Sequence, residues 1–214
     1  MSAHHAIDTI LLDLGGVLID VDYHASARAF RALGFEEFDA LYSQAKQDHL
    51  FDGFEIGALS PAQFRDRIRQ LFRQDLTDRE IDACWNAMLG SVPMERIDLI
   101  DRLKKRYQVL LLSNTNAIHV SAFTEMIRKE NGIADFKGLF HGAYYSCEMG
   151  LRKPDAAAFH HVLEQHDAEA ERTLFIDDSM QHVIGARAAG LHAQHLELAH
   201  ENVRDLVKRL GLFA

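Results

Sequence analysis

Cysteine is nearly missing from this chain of 214 residues: Cys84 and Cys147 are the pair present, far apart and without a CxxC spacing. That excludes a disulfide framework or a zinc knuckle and fits a reducing compartment, with both thiols expected as small buried apolar groups. Proline is almost as rare, at 3 residues, so no proline-rich linker divides the chain; internal repeats and low-complexity tracts are lacking too. No apolar run approaches the about 20 residues that a membrane span needs. The opening "MSAHHAIDT" has no basic-then-apolar signal pattern. The expectation is a soluble, cytoplasmic protein with no membrane partner. Positive charge is in deficit: 23 Lys and Arg stand against 32 Asp and Glu, a net charge of −9, with the signs interspersed. Without a basic stripe, nucleic acid is not an expected partner. Histidine is plentiful at 13 residues, but pairs such as His4/His5 and His160/His161 lack HExxH or CxxC companions, so no histidine metal centre is expected.

What is present is apolar material, 48% of the residues, enough for one sizeable domain or a core domain with an insert. Four short apolar runs, Ile7 to Leu12, Val109 to Leu112, Leu139 to Tyr145 and Thr173 to Ile176, with a fifth at His192 to Leu196, read as strands buried on both faces. Between the later ones lie helical periods: Ile118, Phe123, Met126 and Ile127 share a face before a closing glycine, Pro154 opens a helix carrying Phe159, Val162 and Leu163, and Val183, Ile184 and Ala188 follow the fourth run. Strands alternating with helices imply an α/β fold with a doubly wound parallel sheet.

One segment breaks the alternation. Between the first and second runs lie several helices and no strand: Tyr23 to Leu33, Glu36 to Lys46, "SPAQFRDRIRQLF" and "TDREIDACWNAML". The last two carry capping boxes, Ser60 with Gln63 and Thr77 with Glu80, and their aromatic stripe is bundle core. A helical insert there sits above the carboxyl ends of the strands, where open α/β sheets bind ligands. The expected division is a core of residues 1–19 and 94–214 and a helical cap of residues 20–93. Met94 to Lys105 returns the chain to the core.

The residues just past the strand ends are polar. Asp13 follows the first, Ser113 and Asn114 the second, Asp177 and Asp178 the fourth, and Lys153 stands before the helix after the third. Singly, each has an ordinary role as turn former, cap or solvated loop charge. Together they put three carboxylates near one point, where they repel unless a cation lies among them; a hard oxygen-liganded ion such as Mg²⁺ suits the cluster. A cation, neutral donors and a lysine are what phosphoryl transfer needs, because its barrier falls mainly through positioning and charge stabilisation.

"DLGGVL", "LLSNTN", "GLRKPD" and "FIDDS", in this order and at these separations, resemble the four motifs of the haloacid dehalogenase (HAD) superfamily, and the insert resembles its C1 cap, the mark of subfamily I. Among its branches, "LLSNTN", "MGLRKPD" and "FEIGALSPAQF" are most similar to bacterial sugar-phosphate phosphatases, including alpha-glucose-1-phosphate phosphatases. The resemblance implies a Rossmann-like core and a Mg²⁺-dependent phosphatase of small phosphorylated metabolites. In it Asp13 is the nucleophile that carries an aspartyl-phosphate. Ser113 and Lys153 act on the transferring group, and Asn114 positions substrate with them. Asp13, the backbone carbonyl of Gly15 and Asp178 hold the metal, with Asp177 and His182 in support.

The chain departs from that pattern at two places. Such phosphatases carry a second aspartate two residues after the nucleophile, as acid and base; here it is Gly15. A proton-transfer group is worth about 10²–10⁴-fold, so the expectation is slow turnover or a leaving group that needs little help, such as an anomeric phosphate. Asp20 and Asp22 are candidates for the missing acid, and Tyr23, His49, Phe51 and Phe54 for cap residues facing the pocket. The second departure is His182, where an acid or asparagine is usual. A 2-haloacid dehalogenase also lacks the second aspartate but needs no metal and usually lacks paired acids in the fourth motif; a catalytically weak regulator that binds a phosphometabolite is the other alternative. A monomer and a homodimer are equally compatible with the sequence.

Overall fold

The computed structural model describes residues 7–34, 42–43, 46–47, 49–72 and 74–212. In chain order the elements are β1 (Thr9–Leu12), α1 (Ala25–Ala32), β2 (Tyr42–Ser43), β3 (Lys46–Gln47), α2 (His49–Glu55), α3 (Pro61–Phe72), α4 (Asp78–Asn86) and α5 (Met94–Leu103). There follow β4 (Gln108–Ser113), α6 (Ala117–Asn131), β5 (Gly142–Tyr145), α7 (Ser146–Met149), α8 (Ala156–Glu164), β6 (Thr173–Asp177), α9 (Met180–Ala188), β7 (His192–His195) and α10 (Val203–Arg209).

Five strands form one sheet in the order β5-β4-β1-β6-β7, every pairing parallel. Side chains alternate across a strand, so β1 feeds two cores. Ile10 and Leu12 pack with Val109, Leu111, Ile100, Phe123 and Leu206 on one face, and Leu11 packs with Leu110, Phe159, Val162 and Phe175 on the other. Helices cover both faces, which is why these strands are apolar throughout rather than alternating. The chain runs outward from β1 through β4 to β5, then crosses back to β6 and β7. β1 therefore lies at the switch point, and the crevice beyond its carboxyl end is the place such a sheet offers a ligand.

The helices from α1 to α4 hold a separate apolar cluster of Phe30, Phe51, Phe54, Phe64, Ile68, Ile81 and Trp85. Phe54 stacks on Phe64 with centroids 4.2 Å apart, and Phe51 on Trp85 at 5.3 Å. Both capping boxes form: the Ser60 N–H donates to Gln63 Oε1 at 2.9 Å, and Thr77 and Glu80 exchange backbone and side-chain bonds. Phe51 and Phe54 therefore belong to this cluster and not to a pocket wall.

Three expectations about elements are corrected. β2 pairs antiparallel with β3, so the insert carries a short ladder. That pairing also ends any helix from Glu36 to Lys46; the rest of that stretch lies outside the described residues. The run from Leu139 to Tyr145 is a strand only from Gly142, because Asp135 Oδ1 accepts from Gly138 N at 3.0 Å and closes a 3₁₀ turn over Lys137–Leu139. Pro154 lies ahead of α8 rather than in its first turn, with Asp155 at the N-cap position. It packs against α9 so closely that a Cβ on Gly185 would fall 2.4 Å from its carbonyl oxygen.

Candidate active site

The first strand delivers its carboxylate by continuing the ladder one residue further: Asp13 N donates to Ile176 O at 3.0 Å. The chain then turns tightly, with Gly16 N bonded to Ile19 O at 2.8 Å and Ile19 N to Leu14 O at 2.9 Å. Gly16 sits at φ 71°, and a Cβ there would lie 2.4 Å from Asp178 Oδ2. The second glycine of "DLGG" thus lets the turn approach the fourth motif.

Lys153, fully buried, lies between two carboxylates: Nζ is 2.5 Å from Asp13 Oδ1 and 2.7 Å from Asp177 Oδ2. Asp177 also accepts from Ser179 N at 2.7 Å and contacts His182 Nδ1 at 3.0 Å, so its carboxylate is spent on holding neighbours. The Tyr23 hydroxyl favours the charged form of the Asp178 carboxylate, and the Asp178 carbonyl accepts from His195 Nε2 at 2.9 Å. Asp13, Asp177 and Asp178 can each turn one oxygen to within 4.8 Å of the others.

The electrostatics follow from this packing. Burial, offset by Lys153 and reinforced by Asp177 and Asp178, pushes Asp13 up to about 7. Burial and Asp177 push Asp178 up to about 6. Burial would raise Asp177 as well, but Lys153 and His182 outweigh it and hold that carboxyl far below its ordinary range. Burial alone would lower Lys153; the two aspartates against it keep the ammonium above its usual value. Three acids facing one buried ammonium leave an excess of negative charge, which is the setting that draws a hard divalent cation.

A cavity of about 590 Å³ opens over this cluster between the sheet edge and residues of α2 and α4, among them Asp52, Glu55 and Trp85. Asp13, Gly15, Ser113, Asn114, Lys153, Asp178 and His182 line it; Asp177 does not. Of the residues carried by the four motifs, then, Asp177 stands behind the wall, bracing Lys153. Asn114 lines the cavity, but its amide is engaged with the Lys153 backbone, donating to O at 2.8 Å and accepting from N at 2.9 Å. Asp20 and Asp22 are elsewhere: Asp20 meets Arg96 at 2.8 Å and Asp22 meets Arg28 at 2.5 Å. The side chain of His49 lies outside the described residues.

The side of the cavity facing α2 and α4 holds residues that sequence reasoning missed. Arg152, beside Lys153, pairs with Asp52 and with Glu55 at 2.9 Å, joining the third motif to α2. Burial pushes Glu55 up despite Arg152. Its position next to a motif lysine was the one available signal for Arg152; the i, i+3 spacing of Asp52 and Glu55 was the signal for its partners. Trp85 and His119 meet above the sheet, stacked at 5.2 Å, with His119 Nε2 donating to the Trp85 carbonyl at 3.1 Å.

Fold and site together define a doubly wound α/β protein whose buried carboxylate–lysine cluster stands at the switch point of a parallel sheet. A profile of haloacid dehalogenase-like hydrolases matches residues 7–190, and the chain belongs to that family. It is 30% identical over 179 residues to D-ribitol-5-phosphate phosphatase of Bacteroides thetaiotaomicron, covering 83% of this chain and 85% of that protein. A HAD family enzyme of the same bacterium, solved with magnesium and inorganic phosphate, superposes with a TM-score of 0.82 at 33% identity, covering 94% of this chain and 99% of that one. A HAD-like hydrolase of Porphyromonas gingivalis gives 0.86 at 30% identity, covering 96% and 98%. Among the described residues, no helix is long and apolar enough to cross a membrane.

Proposed function

We propose that this hydrolase is a Mg²⁺-dependent phosphomonoesterase of a small phosphorylated metabolite, a sugar or polyol phosphate, working through an aspartyl-phosphate on Asp13. The observation that carries it is the buried Lys153 bridge between Asp13 and Asp177 with Asp178 beside it. Support comes from the family, from the ribitol-phosphate phosphatase relative, and from the neighbour that holds magnesium with phosphate. The working unit is a core of residues 1–19 and 94–214 under a cap of residues 20–93.

Asp13, the Gly15 carbonyl and Asp178 would hold the ion, which when bound supplies positive charge to the phosphoryl oxygens and relieves the repulsion among the acids. Lys153 turns Asp13 toward phosphorus and neutralises a second phosphoryl oxygen, and Ser113, 3% exposed at the end of β4, donates to a third. An Asp13 oxygen forms its bond to phosphorus as the ester P–O bond breaks; the departing oxygen takes its proton from water. A second water then attacks the acyl-phosphate, releasing phosphate and restoring the carboxylate. With Gly15 offering no acid, substrates with acidic leaving oxygens turn over fastest.

The test is hydrolysis of p-nitrophenyl phosphate and a panel of sugar and polyol phosphates, with and without Mg²⁺, beside Asp13→Asn. Mg²⁺-dependent turnover that vanishes in the variant is expected. Negligible turnover of every ester with retained phosphate binding would favour the regulator. Chloride release from 2-chloropropionate without metal would favour the dehalogenase, a reading opposed by Asp177 and Asp178, whose charges need a cation nearby.

A further inference from the structure

Glycine at position 15 carries no side chain where an acid would project, and three polar residues follow it within eight positions: Asp20, Asp22 and Tyr23. Asp20 and Asp22 do not approach it, each being held by an arginine outside the cavity. Tyr23 does. A Cβ built on Gly15 would have the Tyr23 hydroxyl 3.6 Å away and a Val21 methyl at 3.4 Å. These are ordinary contacts for a Cβ, so alanine fits, but a carboxylate carried beyond that atom needs room which the hydroxyl fills. The same hydroxyl favours the charged form of the Asp178 carboxylate, and Tyr23 and Asp178 line the cavity together.

Where Tyr23 comes from gives the contact its meaning. The two strands of chain joining core and cap run antiparallel beside the site: Asp20 N bonds Ser91 O at 3.0 Å, Gly90 N bonds Asp20 O at 2.7 Å, and Asp22 N bonds Met88 O at 2.9 Å, around a bridge of Val21 with Leu89. A Cβ on Gly90 would fall 2.7 Å from the Asp20 carbonyl oxygen, so the seam closes only with glycine there. Tyr23 leaves this seam at the foot of α1 and reaches back to a core carboxylate.

We propose, on the phosphatase reading above, that Tyr23 is a positioning residue paired with Gly15: it takes the space of the absent side chain and ties the cap seam to Asp178, holding that carboxylate ready for the cation. Gly15 is then the partner of Tyr23 and not merely a lost acid. A hydroxyl that holds Asp178 acts on cation affinity; one that protonated the leaving group would act on leaving-group dependence, and the two are separable.

The test uses the full-length protein stripped of metal. Calorimetric titration with Mg²⁺ is expected to show Tyr23→Phe binding about 3- to 10-fold more weakly, the ratio that one net hydrogen bond gives. Saturating Mg²⁺ restores its turnover of p-nitrophenyl phosphate and of an alkyl phosphate alike. Gly15→Asp is expected to lose activity while Tyr23 is present, and Gly15→Asp with Tyr23→Ala to lose less than the two single losses combined. An unchanged Mg²⁺ affinity in Tyr23→Phe, a loss confined to the alkyl phosphate, or strictly additive losses would each overturn the proposal. If the wild type hydrolyses no ester, the phosphatase reading fails, while the Mg²⁺ titration still decides the role of Tyr23.

Discussion

The side chain of Asn114 grips the backbone of Lys153 at both its polar groups, the amide donating to the carbonyl at 2.8 Å and its oxygen accepting the N–H at 2.9 Å. Asparagine is suited to this because its side chain offers a donor and an acceptor side by side. The end of β4 thus fixes the loop that carries the site's lysine. Asn114→Asp would place a carboxylate oxygen against the Lys153 carbonyl. The expected result is a fall in kcat with little change in KM, and a loss of about 1–3 kcal/mol in stability from the broken buried pairing. Steady-state kinetics and denaturant unfolding measure both.

Lys153 is the ammonium held between Asp13 and Asp177 with no exposed surface. Lys153→Met strands two carboxylates in the interior, a loss of about 3–5 kcal/mol on the pattern of broken buried ion pairs. Adding Asp177→Asn should recover part of that stability, since it removes one stranded charge, and none of the activity. A double variant no more stable than Lys153→Met would contradict this account.

Asp13 and Asp178 stand above the ordinary carboxyl value, at about 7 and about 6. A group raised on folding binds its proton more tightly in the native state, so its contribution is complete below the ordinary value of 3.8 and is lost as pH rises through the folded value. In chelator, Asp13→Asn should therefore flatten the fall of melting temperature between pH 3.8 and about 7 relative to the wild type. Parallel wild-type and variant curves across that window would mean that the site's charge is balanced without metal.

His119 moves the other way. Burial, only partly offset by the Trp85 carbonyl, pushes it from 6.5 down to about 4. The native state thus prefers the neutral ring, and its contribution, complete above 6.5, is lost as pH falls through the folded value. His119→Gln should abolish that part of the acid destabilisation between pH 6.5 and about 4, read as the difference between wild-type and variant melting curves. Trp85, the single tryptophan, stacks on this ring and reports the change by its emission.

Much of this was legible from residue order. The apolar runs, the capping boxes at Ser60 and Thr77, and the polar residues at the strand ends follow local rules, and local rules survive folding. Tyr23 was legible as a candidate for the pocket wall, where it stands; its closeness to Gly15, the pairing of Arg152 and the engagement of Asn114 were not legible, since each depends on which side of a turn a side chain leaves and on residues far along the chain. The helical reading of Glu36 to Lys46 went astray at β2 and β3, where pairing between neighbours overrode a weak period.

The sequence by itself determined that strands would alternate with helices, that a helical insert would follow the first strand, and that acids and a lysine would stand at strand ends, because burial patterns and caps act over a few residues. The tertiary structure decided that β1 lies between β4 and β6. It also decided that Lys153 reaches both aspartates and that a tyrosine from the cap seam fills the side left by Gly15. Those outcomes turn on sheet order and close packing between distant segments, and no local pattern encodes a distance of a few ångströms across the fold.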